Sequence, residues 1–414
     1  MAQHLAASPT TRLDPQERRA TAGLAGIFGL RMLGMFIILP VFALYAETVP
    51  GGENRAVIGI ALGTYGLTQA LLQIPFGWMS DRWGRKPIIY LGLALFALGS
   101  FLAAAATDLY WIVAGRTLQG AGAISAAVLA LLADLTRDEV RTKAMGLIGM
   151  TIGLTFGLSL VAGPMLNHWI GVPGIFALTG LLALAAIALV RFGVPNPPPG
   201  RMSQERQVRG NEFTAVLGDG SLQRLNFGIF SLHAALMALF VQVPFALRDA
   251  GLAADRHWLV YLGVLTASFL LVFPLFAQAD RRVRTKPIFL GTIALLLSGQ
   301  ILLAAQPASL TGMIIALLVF FAAFNLLEAK LPAMISRFAP AEVKGTAIGV
   351  YSGVQFLGMF VGGAVGGWLA EHVSAAAVFW FGALLTLIWL LLSFSMPAQP
   401  AYNAHILAKP MGES

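Results

Sequence analysis

Glu328, Arg31, Arg116 and His233 are titratable side chains inside long apolar runs, where charge is costly. Of the 19 acidic residues, only Glu328 sits well within such a run. Its chemistry would be proton exchange. Burial disfavours a carboxylate and a nearby cation favours it, so a carboxyl whose surroundings change can take up and release a proton. The alternative is a static pair with Lys330 or with Arg31. Lys330 is two residues on, so it points to a different helix face, and its long stem can carry the ammonium to the interface. Arg31 and Arg116 are the cations that could face Glu328. No second buried acid is left for Arg116, which can instead bond backbone carbonyls or an anionic group of a ligand. His233 is chemically suited to proton work, although a lone His on an apolar helix is more often a packing residue. Tyr65, Gln69, Gln119, Asn325, Tyr351 and Gln355 are further polar groups within apolar runs, as are Gln73, Asn226 and Gln242. They either line a cavity or form interhelical hydrogen bonds of about 0.6 kcal/mol each.

A second cluster is of another kind. In "GWMSDRWGRK", residues 77–86, Asp81, Arg82, Arg85 and Lys86 crowd together beside Gly77 and Gly84. The whole chain is only 11% charged, so this knot needs a reason.

The elements that position these residues follow from composition. The 414 residues are 57% hydrophobic with a mean hydropathy of +0.78. A soluble domain carries about 25% charged residues, so a polytopic membrane protein is indicated. Apolar windows of about 20 residues predict twelve helices near 20–46, 55–79, 87–106, 109–134, 142–167, 171–193, 225–248, 257–279, 286–304, 309–336, 343–371 and 375–396. The first is too long for a signal-peptide core of about 7–15 residues and is expected to be retained. The fold class is therefore all-α, spanning the bilayer. The segments are a tail at 1–19, a six-helix half at 20–193, a polar linker at 194–224, a second half at 225–396 and a tail at 397–414.

Charge sets the orientation. With both termini in the cytoplasm, the outer segments hold only Arg55, Arg248 and Arg256. Nearly all other Lys and Arg fall inside, as the positive-inside rule requires. The net charge of +8 is thus explained by topology, with no nucleic-acid partner expected. The halves echo each other. "SDRWGRKPIIYLG" at 80–92 returns as "ADRRVRTKPIFLG" at 279–291, and "DEVRTKAMG" at 138–146 returns as "AEVKGTAIG" at 341–349. Repeated halves place a binding site between them, midway through the membrane.

The knot, with Gly77, Asp81, Arg82, Gly84, Arg85 and Lys86, resembles the loop signature of the major facilitator superfamily. "RTLQGAGA" in the fourth span is similar to a motif of its proton-coupled members, and "LGMFIILPV" in the first to a signature of its twelve-span drug:proton antiporter branch. The resemblance covers essentially the whole chain. One stretch departs from it: "SLVAGPMLNHW" keeps Gly163 and Pro164 of the branch's fifth-span motif, but has Ser159 and Asn167-His168 where glycines are usual. Some members carry an extra soluble C-terminal domain. Only residues 397–414 follow the last span here, so that domain is expected to be absent.

The resemblance implies two pseudo-symmetric six-helix halves and a loop that clamps them when the cavity opens outward. Asp81 is expected near the start of the eleventh span at Lys344-Gly345-Thr346, where a helix N-terminus favours a carboxylate. Arg85 is expected to pair with Asp134. Such contacts would form a latch made in one state only; plain positive-inside anchoring would account for Arg82 and Lys86. The resemblance also gives Arg116 a part in proton transfer or in orienting a carboxylate.

The expected function is secondary transport in the bacterial inner membrane, exporting a small amphipathic solute or drug in exchange for protons, by a monomer. Proton-coupled import, uniport or lipid translocation use the same fold, and a non-transporting membrane sensor is the alternative of another class. "GRTLQGAG" lacks the ending of a phosphate loop. The glycine run "GMFVGGAVGGW" suits close helix packing. No enzymatic constellation, cofactor or metal site is expected, and the absence of cysteine removes thiolate ligands.

Overall fold

The computed structural model describes residues 13–196, 210–279, 285–305, 309–340 and 343–397. The core of the second loop repeat (Arg281, Arg282, Arg284), linker residues Arg201, Arg206 and Arg209, and Lys409 of the C-terminal tail lie outside them.

The described chain is helical, with no strand among the described residues. In order the helices are α1 Pro15–Phe36, α2 Leu39–Ala46, α3 Arg55–Trp83, α4 Arg85–Ala104, α5 Leu109–Ala121, α6 Ser125–Leu135, α7 Asp138–Phe192, α8 Gly210–Gly218, α9 Gly220–Asp249, α10 His257–Ala279, α11 Thr285–Ala304, α12 Leu310–Phe338, α13 Lys344–His372 and α14 Ala375–Phe394. Ten stretches are long and apolar enough to cross a membrane. One of them, Glu139–Phe192, has 54 residues. At 1.5 Å per residue it is about 80 Å long, enough for two passes, and it turns at Gly171, whose φ of +67° only glycine adopts freely. With that turn and the 23 residues of α10, the passes number twelve.

Several boundaries differ from the sequence expectation. α1 starts at Pro15, inside the expected tail. Asp14 and Glu17 form a capping box there, with hydrogen bonds of 2.7 and 2.9 Å. The first span breaks at Ile37-Ile38, because Pro40 begins α2. The fourth breaks after Gly122. Within the expected linker, α8 is helical, and α9 starts at Gly220 because the Asp219 side chain accepts from Ser221 N at 2.7 Å and Leu222 N at 3.1 Å.

Large apolar side chains such as Leu154, Trp169, Leu270 and Leu391 are exposed on the outer surface. In a bilayer that surface meets acyl chains, so helix association rests on close packing and hydrogen bonds. The principal seam runs between α3 and α13. A Cβ on Gly63 would lie 2.8 Å from the Phe360 carbonyl oxygen, and one on Gly367 would lie 2.6 Å from that of Arg55. Gly59 and Gly363 are pressed together in the same way. The same face of α13 continues through Gly353 and Gly349, where an added Cβ would meet nothing within 4 Å. The helices are thus zipped at the end carrying Glu47 and Glu371 and part towards the end carrying Asp81.

Candidate functional site

Two polar clusters lie on opposite sides of this seam. On the first side, α1 presents Arg31, only 2% exposed. Its guanidinium donates to Ser125 Oγ at 3.0 Å and Tyr65 Oη at 2.9 Å, and also to Gln69 Oε1. Gln69 in turn donates to Gln73 Oε1 at 3.0 Å. Arg31 Nε is buried without a hydrogen-bond partner.

Arg116 on α5 sits behind this cluster. It donates to the carbonyls of Ala61 and Leu62, both at 3.4 Å, and to Gln119 Oε1 at 3.0 Å. Gln119 donates onward to Ser100 Oγ at 2.7 Å. The guanidinium lies 5.1 Å from the centre of the Tyr65 ring. Tyr65 therefore touches both cations, Arg116 by its face and Arg31 by its hydroxyl. The glycines of the "RTLQGAG" stretch make this geometry possible: Gly120 abuts the Tyr65 carbonyl, and Gly122 that of Gly92. Gly163, in the departing fifth-span stretch, lies against the Ile37 carbonyl at the α1–α2 break.

On the second side, His233 of α9, Glu328 of α12 and Gln355 of α13 meet. His233 Nε2 lies 3.7 Å from Glu328 Oε2. Gln355 Nε2 is 2.8 Å from the same ring nitrogen, and His233 Nδ1 is 3.3 Å from the Ile229 carbonyl. This pattern fits a neutral ring that accepts from Gln355 and donates to Ile229. Glu328 Oε2 and the Tyr351 hydroxyl are both buried without a hydrogen-bond partner. Among the described residues His233 is the only ion-pair neighbour of Glu328 within 4 Å, so neither Lys330 nor Arg31 holds it. Asn325 is turned elsewhere and donates to Ser268 Oγ of α10 at 2.9 Å, an interhelical tie.

Aromatic rings bridge the two sides. Phe156 of α7 lies 5.0 Å from Phe36 on α1, 5.7 Å from Phe324 and 6.5 Å from Phe321, both on α12. Phe324 stands 6.0 Å from the His233 ring. These phenylalanines carry no polar signal, and sequence reasoning missed them.

The charged knot lies at the parted end. Gly84, with φ +95°, makes the sharp turn from α3 to α4. That turn brings Arg85 onto Asp81, and onto Asp134 at 3.1 Å and Ser80 Oγ at 3.0 Å. Arg82 stacks 5.5 Å from the Trp78 ring, and Lys86 donates to the Val194 carbonyl at 2.7 Å. Gly77 packs 3.5 Å from Ala126, measured from an added Cβ. The Asp81 side chain is 52% exposed. Thr346, in the first turn of α13, donates instead to Glu212 of α8 at 2.8 Å. The expected approach of Asp81 to that helix start is not made in this conformation.

The zipped end has its own charges, also missed from sequence. Arg248 of α9 pairs with Glu47 at 2.7 Å. Arg55 N donates to Glu371 at 2.7 Å, and its guanidinium lies 4.6 Å from the Phe245 ring. The signal was available: Glu47 and Arg248 occupy the C-terminal ends of the first span of each repeat.

An all-helical, twelve-pass membrane protein with a small-residue seam between two polar clusters is built as a transporter of small molecules. The family description "Major Facilitator Superfamily" matches residues 24–321 and 227–411, and the chain belongs to that family. It is 45% identical over 94% of its length to "Inner membrane transport protein YajR" of Escherichia coli (strain K12), covering 86% of that protein. It is 27% identical to "Multidrug resistance protein MdtH" of Photorhabdus laumondii over 89% of this chain and 92% of that one. Among solved structures, a bacterial homologue of the human lysosomal transporter Spinster superposes with a TM-score of 0.72 at 15% identity, over 92% of this chain and 97% of that one. That likeness concerns the fold. The chain is thus an integral membrane transporter of this superfamily and not an enzyme.

Proposed function

We propose that this transporter exports a small amphipathic solute across the bacterial inner membrane in exchange for protons, with Glu328 and His233 as the proton-carrying pair. The observation that carries the proposal is the Glu328 carboxylate oxygen, buried in a span, 3.7 Å from His233 and without a hydrogen-bond partner. A charge at that depth costs about 2.5–3.5 kcal/mol or more, so such groups are functional by default. A bound proton supplies the missing donor. The rings of Phe156, Phe321 and Phe324 suit the apolar part of a solute. Outward direction is supported by resemblance to the drug:proton antiporter branch and by relatives named for an inner-membrane location and for multidrug resistance. Lys and Arg distribution puts the Asp81 end and both termini in the cytoplasm, so the conformation described is open inward. The Asp81–Arg85–Asp134 knot then serves as a latch for the opposite state, and the protein works as a monomer. Uptake by the same fold is the second reading, favoured by Ser159 and Asn167-His168 in place of the exporters' glycines.

The test is transport in proteoliposomes with an imposed pH gradient, over a panel of solutes. Glu328→Gln mimics the protonated state. It should still exchange solute across the membrane, but lose gradient-driven accumulation and the pH dependence of binding. A proton biases two states only if its affinity differs between them, and a tenfold difference corresponds to about 1.4 kcal/mol. His233→Gln should move the pH midpoint of accumulation without abolishing it. Wild-type accumulation by Glu328→Gln would sink the assignment.

A further inference from the structure

Arg31 is a buried cation whose hydrogen-bond partners are all neutral. Its three hydrogen bonds end on a hydroxyl of Ser125, the phenol of Tyr65 and the amide of Gln69. Among the described residues no carboxylate lies within 4 Å of it, and Nε is buried with its hydrogen unused. Arg116 is different, because its donors already end on two backbone carbonyls and Gln119. A guanidinium offers five N–H groups in a fixed fork, matched to two parallel bonds from one carboxylate. On the Nε–Nη2 edge of Arg31 that such a pair needs, Nε–H is unused, while Nη2 donates to Tyr65 and Gln69.

Its place in the seam says what can reach that edge. The Tyr65 ring lies 6.4 Å from Phe356 of α13. Gly66 is the last glycine of α3 that packs on α13, and Gln69 and Gln73 follow it along α3 towards the Asp81 end. The cluster therefore stands at the closed apex of the space between the two sides. Phe36 lies five residues along α1 from Arg31, roughly 7.5 Å of helix rise, and leads into the ring cluster of Phe156, Phe321 and Phe324.

We propose that Arg31, framed by Ser125, Tyr65 and Gln69, is a subsite for the carboxylate of an amphipathic organic acid whose apolar body rests on the phenylalanine rings beside it. This rests on the transporter reading above and deepens it by naming a substrate class. The acid supplies the counter-charge that the protein lacks at this point, taking the free Nε–H as one donor and displacing the Gln69 amide oxygen from Nη2 for the other.

The test is equilibrium binding to the purified full chain in nanodiscs, by calorimetry and with no gradient. The probes are 4-phenylbutyrate and its neutral amide, which share one shape. The acid should bind on the order of tenfold more tightly than the amide, as expected for a charge-assisted pair. Arg31→Gln should reduce that preference to within about twofold, whereas Arg31→Lys, which keeps the charge but not the fork, should retain part of it. Arg31→Lys also serves should Arg31→Gln fail to elute as a single species. Equal affinity for acid and amide in the wild type, absence of binding by both included, overturns the proposal. So does a preference that survives Arg31→Gln. An acid preference that Arg31→Gln removes supports the subsite whether or not transport proves to be driven by protons, so the two readings fail separately.

Discussion

The two ends of the α3–α13 seam stand in opposite conditions although glycines lie on the same face of α13 at both, with Phe356 and Phe360 between them. At the Glu47 end, Gly363 and Gly367 lie against the backbone of α3, and Glu47 of α2 pairs with Arg248 of α9. At the Asp81 end, Gly349 and Gly353 of the same face meet nothing, and Asp81 is turned to Arg85. A helix pair made to stay together would be matched along its whole length. Here contact at one end is combined with unused contact surface at the other. On the transport cycle proposed above, such a seam rocks, and the charges at each end bias which contact is made.

The largest effect should come from breaking the zipped end. Gly363 lies so close to the Gly59 carbonyl that a larger side chain cannot be housed without parting the helices. Overpacking costs about 1–3 kcal/mol, so Gly363→Leu should shift the balance of states roughly fivefold to 150-fold away from the conformation described. Transport should collapse while the protein still elutes as a folded species. Pulsed electron resonance between spin labels near residues 47 and 248 should report longer distances. Unchanged distances would mean that the glycines serve only assembly.

A smaller shift of opposite sign is expected at the parted end. Asp81→Asn keeps the side-chain shape but removes the charge that would meet the start of α13 in the other state. A carboxylate at a helix N-terminus contributes about 0.3–1 kcal/mol, up to about 2 when partly buried. The state closed at the Asp81 end should thus lose roughly twofold to thirtyfold in population, and turnover should fall with it. Labels near residues 81 and 344 should show fewer short distances. An identical distribution would reduce the knot to a topological anchor.

The contrast between the ends also shows what could be read from the chain alone. The spans were legible because apolar length is a local property. The Arg85–Asp134 partnership was legible only through the family resemblance of the loop, and the two groups stand 3.1 Å apart. The breaks at Ile37-Ile38 and Gly122 were not, since a hydropathy window averages over the few residues at which a helix turns. Long-range pairs were hidden for another reason. Glu47 and Arg248 are 201 residues apart, and His233 and Gln355 are 122 apart. No periodicity joins them, and only the packing of α2 on α9 and of α9 on α13 brings them together. Glu328 stood out as an acid within a span, but the partners weighed for it were Lys330 and Arg31, and His233, on another helix, was not among them.

The smallest effect should follow from loosening the clasp at the zipped end. Arg248 and Glu47 are 44% and 38% exposed, so water and salt weaken their attraction. Pairs of this kind contribute about 0.2–1 kcal/mol. Glu47→Gln should therefore shift the two states by no more than about fivefold, towards opening at the Glu47 end. This is the same direction as Gly363→Leu and opposite to Asp81→Asn. In the Glu47→Gln/Asp81→Asn double variant the shifts should partly cancel, returning the label distances towards the wild-type distribution. The clasp is also the term most exposed to screening. At about 1 M salt the Debye length is near 3 Å, and the difference between wild type and Glu47→Gln should disappear, while that of Gly363→Leu, which is steric, should persist. A Glu47→Gln shift that survives high salt, or that adds to Asp81→Asn instead of opposing it, would show that the two ends are not coupled through one rocking seam.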